Sequence, residues 1–285
     1  KVAPSYTMVD VPKPDEDSMI WGMRDSLNPV LSVVLDPIAN LLRLRSAFAI
    51  KTNFPNLSTY KDIGTAGTGY DRVIEPERIY SFNSGFELFF MNQAISFRTD
   101  YFYTQIKDKI MRVRIDALDV YSNISGQTVQ GIESIFTASS PQIANIVTIR
   151  GSLSYVFAYA QNDEVSAYAY LEDVENIPQH QFIGQLVLDF VSKTTCSIWG
   201  THTRNQIQYV MAANPNDVSS SAFTSSVYTT QELHNPFMLN VKVQQELPFN
   251  TYVYVSCKNV LDDYNVDPFS PGPGRMFYFG GGGRL

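Results

Sequence analysis

The chain has 285 residues, a formal net charge of −7 and a charged fraction of 17%. Soluble domains carry about 25% charged residues, so this chain is poor in charge, whereas its aromatic fraction of 13% is high. The acidic balance and the lack of a basic stripe argue against a nucleic-acid partner. No apolar run reaches the roughly 20 residues of a membrane helix, so any crossing of a membrane has to be made by strands.

Strict alternation of apolar and polar residues predicts a chain built of β-strands. In chain order, the eleven predicted strands cover 30–36, 41–50, 81–90, 94–107, 126–138, 146–160, 181–191, 194–204, 237–247, 251–260 and 275–285. Most of them are near the roughly 9–11 residues that a tilted strand needs to cross hydrocarbon, whereas strands of soluble proteins average about 5–6 residues. The predicted fold class is therefore all-β.

The connections between these strands alternate between short and long. The short ones are 36–40, 91–93, 139–145, 192–194 and 248–250. The long ones are roughly 52–80, 109–125, 162–180, 205–236 and 262–274. An outer-membrane barrel has this asymmetry, because its periplasmic turns are short and its extracellular loops are long. A soluble β-sandwich would show the same two-faced strands, but the strand lengths, the loop asymmetry and the aromatic content favour a transmembrane, antiparallel, up-and-down barrel.

The direction of the strands follows from the last of them, since the C-terminus of an outer-membrane barrel is expected in the periplasm. The short turns then lie in the periplasm, the long loops are extracellular, and strand 30–36 runs inward from the outside. Bacterial single-chain barrels have an even number of strands, so the 11–12 strands of this chain either include one within 1–29 or belong to a larger barrel. We expect 1–29 to form an extracellular loop or a partial upstream strand and 30–285 to form the barrel wall.

Five segments follow one another in an order typical of one family. They are LLRLRSAFAIKTNFPNL (41–57), IEPERIYSFNSGFEL (74–88), FRTDYFYTQIKDKI (97–110), YSNISGQTVQGIESIF (121–136) and the closing run that begins VSCKNVLDDYN (255–265) and extends to residue 285. The residues that carry the pattern most clearly are Glu75, Pro76, Glu77, Gly85, Glu87, Asn259, Asp262, Tyr264, Pro273, Gly274 and Arg275. With them, residues 28–285 resemble the C-terminal half of the β-barrel of a TonB-dependent outer-membrane receptor. The chain departs from the family at Leu285, where Phe is usual, and at the glycine run 280–283.

The resemblance implies a function in ligand capture and passage, without bond-breaking. Such receptors have about 22 strands, so this chain would supply about half of the wall. The implied ligand is bulky, of the siderophore, cobalamin or glycan type, and its uptake would be energised by the TonB complex through a plug domain that this chain lacks. The implied partners are outer-membrane lipid, a plug domain or another barrel-completing chain and, indirectly, the TonB complex.

Two groups of residues become candidates for function under this resemblance. Aromatic residues of the long loops would hold the ligand, although they would equally serve to pack the loops against one another: Tyr60, Tyr70, Tyr168, Tyr170, Tyr209, Phe223 and Tyr228. Charged residues on the polar side of the strands would line the lumen and face the plug: Arg43, Arg45, Glu87, Arg98, Asp100, Arg150 and Lys242. Charges buried in this way need partners.

The sequence offers no pattern that indicates catalysis. The three histidines, at positions 180, 202 and 234, lack the spacing of metal ligands, and the chain has no serine-centred nucleophile elbow. We therefore predict no enzymatic activity, no cofactor and no metal site. Cys196 and Cys257 lie in separate predicted strands, which leaves open one disulfide or two free thiols.

Two alternative functions remain compatible with the sequence. In one, a receptor-derived barrel that has lost transport is a structural component of a multi-protein envelope complex. In the other, the chain is an autonomous porin-like barrel of about 12 strands, near the small end of the known range.

Overall fold

The computed structural model of the chain describes residues 5–15, 18–55, 74–115, 118–163, 173–213, 226–263 and 274–283. These residues form β-strands and no helix, and none of them belongs to a helix suited to crossing a membrane. The strands are β1 (Ser5–Asp15), β2 (Ser18–Asn28), β3 (Val30–Ile38), β4 (Leu42–Asn53), β5 (Glu77–Phe90), β6 (Ile95–Ile115), β7 (Leu118–Ser139), β8 (Val147–Asp163), β9 (His180–Phe190), β10 (Thr194–Arg204), β11 (Ile207–Ala213), β12 (Ser226–Glu232), β13 (Phe237–Leu247), β14 (Thr251–Lys258) and β15 (Met276–Gly283).

Eleven of these strands form one antiparallel sheet, in the order β15-β14-β13-β10-β9-β8-β7-β6-β5-β4-β3. Each strand pairs with its neighbours along the chain, except that the β11–β12 hairpin is inserted between β10 and β13. Each of the eleven strands overlaps one of the eleven predicted strands, and β3 and β15 are the two edges. The prediction of an all-β, up-and-down antiparallel architecture is therefore confirmed.

The N-terminal segment forms a separate hairpin. β1 pairs with β2 along its whole length, from Ser5 opposite Asn28 to Asp15 opposite Ser18. This hairpin is joined to the main sheet at its base, because the carbonyl of Pro29 accepts a hydrogen bond from the amide of Ile50 at 3.0 Å. Residues 5–28 thus contain two strands that pair with each other and lead directly into β3.

The short connections are tight turns that place residues in the left-handed backbone region. Asn40, Asn145 and Asn250 have φ of 60°, 53° and 55°. Asparagine tolerates this conformation better than most residues with a Cβ, which explains its recurrence at these turns. The predicted end of the sheet with short connections is therefore present in the structure.

One predicted loop is wrong. Residues 109–125 were expected to form a long loop, but β6 and β7 have 21 and 22 residues and remain paired as far as Ile115 opposite Leu118. The ladder has no pair at Asp108, whose φ is 54°, but its register is the same on both sides of that residue. Beyond that point the β-branched and apolar residues favour strand conformation, so the hairpin continues outward past the main sheet.

The apolar side of the sheet is not covered by a second layer of the described residues. Within them, the buried hydrophobic residues are only Ile74, Ala158 and Leu233, whereas Val255 is 61% exposed and Phe279 is 88% exposed. A soluble sandwich would bury this side against another sheet. An apolar surface of this extent marks contact with lipid or protein, and the structure therefore supports the barrel wall over the sandwich.

Candidate functional site

The two faces of the sheet differ in chemistry. Residues that pair directly across antiparallel strands have side chains on the same side, so the pairing Arg43–Glu87–Arg98 and the pairing Arg45–Gly85–Asp100 define one polar face across β4, β5 and β6. The residues between them in sequence, such as Leu44, belong to the opposite, apolar face. All seven charged residues predicted to face the lumen fall on the polar face.

Asp100 is the centre of an ion network on this polar face. Its side chain is about 10% exposed and accepts two hydrogen bonds from Arg45, at 2.6 Å and 2.9 Å. It also accepts one from Arg98 at 2.6 Å. A bidentate guanidinium–carboxylate pair is among the strongest polar contacts in proteins, and two arginines neutralise this carboxylate from both sides. The charged residues were expected to need partners, and these three find them in one another on the polar face of the sheet.

The position of the Asp100 carboxylate depends on Gly85, its direct partner on β5. A Cβ atom at residue 85 would overlap the carbonyl oxygen of Thr99 and Oδ1 of Asp100. The glycine thus leaves the space in which the carboxylate lies across the strand and meets Arg45 of β4.

The network continues from Asp100 toward the short-turn end of the sheet. Glu87 lies 3.9 Å from both Arg43 and Arg45, and Arg43 donates to Asp36 at 2.9 Å. The pair of Arg43 with Asp36 is exposed, and such surface pairs contribute about 0–1 kcal/mol. The strength of the network is therefore concentrated at its buried end.

Glu133 is a charged residue of the polar face that the sequence analysis missed. It pairs directly with Asp100 across β6 and β7 and forms no ion pair with the residues that the structure describes. The alternation Ile132, Glu133, Ser134 within 126–138 was the available signal, because it sets Glu133 on the side opposite Ile132. A concavity of about 550 Å³ lies beside it, lined in part by Arg45, Arg98, Asp100 and Glu133.

The other two predicted lumen charges lie apart from this network. Arg150 donates to Asp189 at 2.6 Å and 2.8 Å. Lys242 lies over the ring of Tyr254, 4.6 Å from its centre, which is within the range of a cation–π contact. The structure thus brings together five of the seven predicted charges and gives the remaining two other partners.

At the long-loop end of the sheet, the carboxylates of Glu77 and Asp263 accept hydrogen bonds from neighbouring segments. The buried carboxylate of Glu77 accepts hydrogen bonds from Asn53 at 2.6 Å and from the amide of Ile110 at 2.8 Å. Asp263 accepts from the amide of Phe237 at 3.1 Å and lies 2.8 Å from His234. The hydrogen bond from the Phe237 amide, followed by the contact with His234, holds the pKa of Asp263 below its ordinary value of 3.8.

Only two of the seven aromatic residues predicted to hold a ligand lie within the described residues. Tyr60, Tyr70, Tyr168, Tyr170 and Phe223 lie outside the described residues. The backbones of the other two lie in the β11–β12 hairpin, where Tyr209 pairs with Thr230 and Tyr228 pairs with Met211. Part of the predicted loop 205–236 is therefore a hairpin.

The cysteines and the acidic groups offer no metal centre within the described part of the chain. Cys196 and Cys257 are free thiols, which decides the alternative that the sequence left open. No group of three or more His, Cys, Asp and Glu residues within the described ranges has the geometry to hold a metal ion.

Comparison with known proteins gives one family and a set of similar folds. Residues 6–255 match the family model described as TonB dependent receptor-like, beta-barrel. The chain is similar in fold to the copper transporter OprC, with a TM-score of 0.68 and 11% identity over 98% of this chain and 43% of that one. It is similar to the FrpB iron transporter of Neisseria meningitidis, with a TM-score of 0.66 and 14% identity over 98% of this chain and 42% of that one.

A third similar structure is the outer membrane transporter YddB of Escherichia coli, with a TM-score of 0.64 and 13% identity over 92% of this chain and 40% of that one. The chain thus spans about two fifths of the length of these structures. No curated protein sequence matches it.

Proposed function

Because the chain belongs to the TonB-dependent receptor-like β-barrel family, we propose that it forms part of the wall of an outer-membrane receptor that takes up a bulky ligand. Members of this family are receptors and transporters of the bacterial outer membrane, and the proposal involves no catalysis. The short-turn end would face the periplasm and the long-loop end the exterior, as in other outer-membrane barrels.

The observation that carries the proposal is the contrast between the two faces of the eleven-stranded sheet. The apolar face is exposed along its length, with Leu153 at 54% and Phe277 at 71%. The polar face carries the ion network around Asp100. A transmembrane barrel turns an apolar band to lipid and polar side chains to its interior, so this sheet has the chemistry of a barrel wall on both sides.

The polar face would line the lumen and contact a plug domain. The three arginines Arg43, Arg45 and Arg98 are balanced within the wall by three carboxylates, those of Asp36, Glu87 and Asp100. Glu133 adds a carboxylate without an ion pair among the described residues, next to Asp100. We infer that the plug presents a cation to Glu133, because this half-buried carboxylate has no ion pair of its own among the described residues.

The ligand would bind at the long-loop end. The aromatic residues predicted from sequence, at positions 60, 70, 168, 170, 209, 223 and 228, offer stacking and hydrogen-bonding surfaces suited to a bulky, partly apolar ligand. OprC is described as a copper transporter and FrpB as an iron transporter, and another similar structure is a receptor bound to ferripyoverdine. These names support a metal-bearing cargo such as a ferric siderophore, with cobalamin and glycans as the other classes to test.

Uptake assays in whole cells test the proposal directly. Strains with and without the gene would be supplied with radiolabelled ferric siderophore, radiolabelled cobalamin or fluorescent glycan, each with the TonB complex intact or disabled. We expect accumulation of one class, dependent on both the protein and the TonB complex. Accumulation independent of TonB would indicate a porin-like barrel. Unchanged accumulation of every class, together with co-purification in a stable envelope assembly, would indicate a structural component.

A further inference from the structure

We propose that Arg78 and Lys107, on the apolar face at the long-loop end, form a binding site for the phosphate group of an outer-leaflet lipid. The two residues pair directly across β5 and β6, so their side chains lie on the same side of the sheet. Both are exposed. The inference rests on the proposed membrane placement of the sheet and adds to it a specific lipid site.

The like charges of this pair are the first argument. Two cations directly opposite each other on neighbouring strands destabilise a sheet unless an anion lies between them. Neither Arg78 nor Lys107 forms an ion pair with a carboxylate among the described residues. The carboxylate of Asp163 lies nearby on the same face, over Gly126, but it accepts a hydrogen bond from Thr128 at 3.0 Å. One carboxylate does not balance two cations, so the pair keeps a net positive charge that an anion from outside these residues would offset.

The surroundings of the pair are the second argument. The amino group of Lys107 lies 5.4 Å from the centre of the ring of Tyr80. The next pair below on this face is Tyr80 with Gln105, and the pair after that is Phe82 with Tyr103. Aromatic side chains of this kind form the girdle at the edge of the apolar band of a barrel. A lipid bound here would set its acyl chains against these rings and its phosphate against the two cations.

The height of the pair on the wall is the third argument. Arg78 and Phe90 lie at opposite ends of β5 on the same face. A rise of about 3.3 Å per residue and a tilt of about 40° place Arg78 roughly 30 Å above Phe90. Because the apolar band of a barrel is about 25 Å tall, the cation pair lies just beyond it, at the level of the headgroups.

The same arrangement recurs four strands away. Arg204 pairs directly with His180 across β9 and β10, at the same end and on the apolar face. Below it lies Phe182, whose ring centre is 4.8 Å from that of Tyr155. A permanently charged residue above aromatic rings thus occurs in two places on this face. The first pair carries two permanent charges and the second only one, so we assign the stronger site to Arg78 and Lys107.

Lipid binding by defined variants tests the inference. The protein would be isolated from its outer membrane in mild detergent, together with any chains that accompany it, and titrated with fluorescent bis-phosphorylated lipid A. A basic residue near an anionic surface contributes about 1 kcal/mol, so we expect Arg78→Gln and Lys107→Gln each to weaken binding about fivefold and the double variant about 25-fold. Lipid A without phosphates should bind the unchanged protein as weakly as the intact lipid binds the double variant.

Lys51→Gln is the matched control. Lys51 is exposed at the same height on the neighbouring strand β4, but it pairs with Ile79 and therefore lies on the polar face. We expect this variant to bind lipid A within twofold of the unchanged protein. An equal loss in this variant would show a general charge effect and would overturn the site, as would unchanged binding in the double variant. Displacement of lipid A by micromolar inorganic phosphate would indicate a free-anion site instead.

Flotation of each variant with outer-membrane vesicles separates this inference from the proposed function. If the unchanged protein does not float with the vesicles, the membrane placement is wrong and both proposals fail. If the double variant floats normally while its lipid A binding is unchanged, only the lipid site is wrong.

Discussion

The side chains on the polar face make different kinds of contact near the two edges of the sheet. In β4–β6, Arg45, Arg98 and Asp100 meet at hydrogen-bond distances, in space that Gly85 leaves free. In β13–β15, the polar face carries no carboxylate ion pair among the described residues. There, Lys242 lies over Tyr254, and the ring of Tyr254 lies within 2.9 Å of where a Cβ of Gly280 would be.

These two kinds of contact differ in how well they should tolerate amino-acid substitution. An ion network with a buried carboxylate requires each partner, because removal of one leaves charge without compensation. Aromatic rings that lie across a glycine strand depend on surface contact and tolerate small changes, in the manner known as aromatic rescue of glycine in sheets. We therefore expect single substitutions in β4–β6 to be costlier than those in β13–β15.

The largest effect is expected for Asp100→Asn. The change leaves Arg45 and Arg98 without their shared carboxylate, and breaking a buried pair costs about 3 kcal/mol. Urea unfolding of the protein in lipid vesicles, followed by tryptophan fluorescence, would measure it. Asp36→Asn is the control, because the pair of Asp36 with Arg43 is exposed and should contribute less than about 1 kcal/mol. Equal effects of the two variants would contradict the assignment of strength to the buried end.

Gly85→Ala should have the next largest effect. The new methyl group would overlap the carbonyl oxygen of Thr99 and the carboxylate of Asp100, and overpacking of this kind costs about 1–3 kcal/mol. The same unfolding experiment applies. Gly184→Ala is the matched control, because its Cβ would meet only Leu153, at 3.9 Å. Since alanine is favoured over glycine within strands by about 0.5 kcal/mol, that variant should be neutral or slightly stabilised.

A smaller effect is expected for Tyr254→Leu at the other end. The change removes the ring that covers Gly280 and contacts Lys242, a loss of about 1 kcal/mol. Hydrogen exchange should show the β15 amides about fivefold less protected, with β4–β6 unaffected. Tyr254→Phe keeps the ring and should restore the protection. Protection lost equally in both variants would assign the effect to the hydroxyl group instead of the ring.

The smallest effect concerns pH and the contact between Asp263 and His234. The pKa of Asp263 is lowered in the folded state, chiefly by the amide of Phe237. Its stabilising contribution is therefore fully present above the ordinary value of 3.8 and is lost as pH falls through the lower, folded pKa. Asp263→Asn should therefore be less stable than the unchanged protein above pH 3.8, and the difference should disappear as the pH falls below 3.8, because only the unchanged protein loses this contribution. An unchanged acid transition in the variant would contradict this role.

Much of the fold could be predicted because it depends on local patterns. The polar and apolar alternation in strands such as 81–90 and 237–247 reflects the two-residue period of a strand, and short turns carry residues such as Asn40 that accept positive φ. The extension of β6 and β7 was missed because polar residues such as Arg112 and Asp119 resemble a loop in composition, whereas their pairing depends on the partner strand.

The residues of the candidate site could be predicted from the sequence, but the contacts between them could not. Sequence placed Arg45, Arg98 and Asp100 on one face, but their contact depends on the register between strands that are 55 residues apart along the chain. Glu133 was missed although the alternation of apolar and polar residues around it places it on the polar face. The glycine run 280–283 departs from the family pattern, and only the neighbouring Tyr252 and Tyr254 explain how it is covered.

The sequence by itself therefore determined the number of strands in the sheet, their two faces and the end with short turns, because each of these depends on neighbours within a few residues. Tertiary structure alone decided which charges neutralise one another, how the glycine strand is covered, and that Arg78 lies opposite Lys107 on the apolar side. The physical reason is that side-chain contacts across a sheet depend on register, and a shift of one residue moves every side chain to the opposite face.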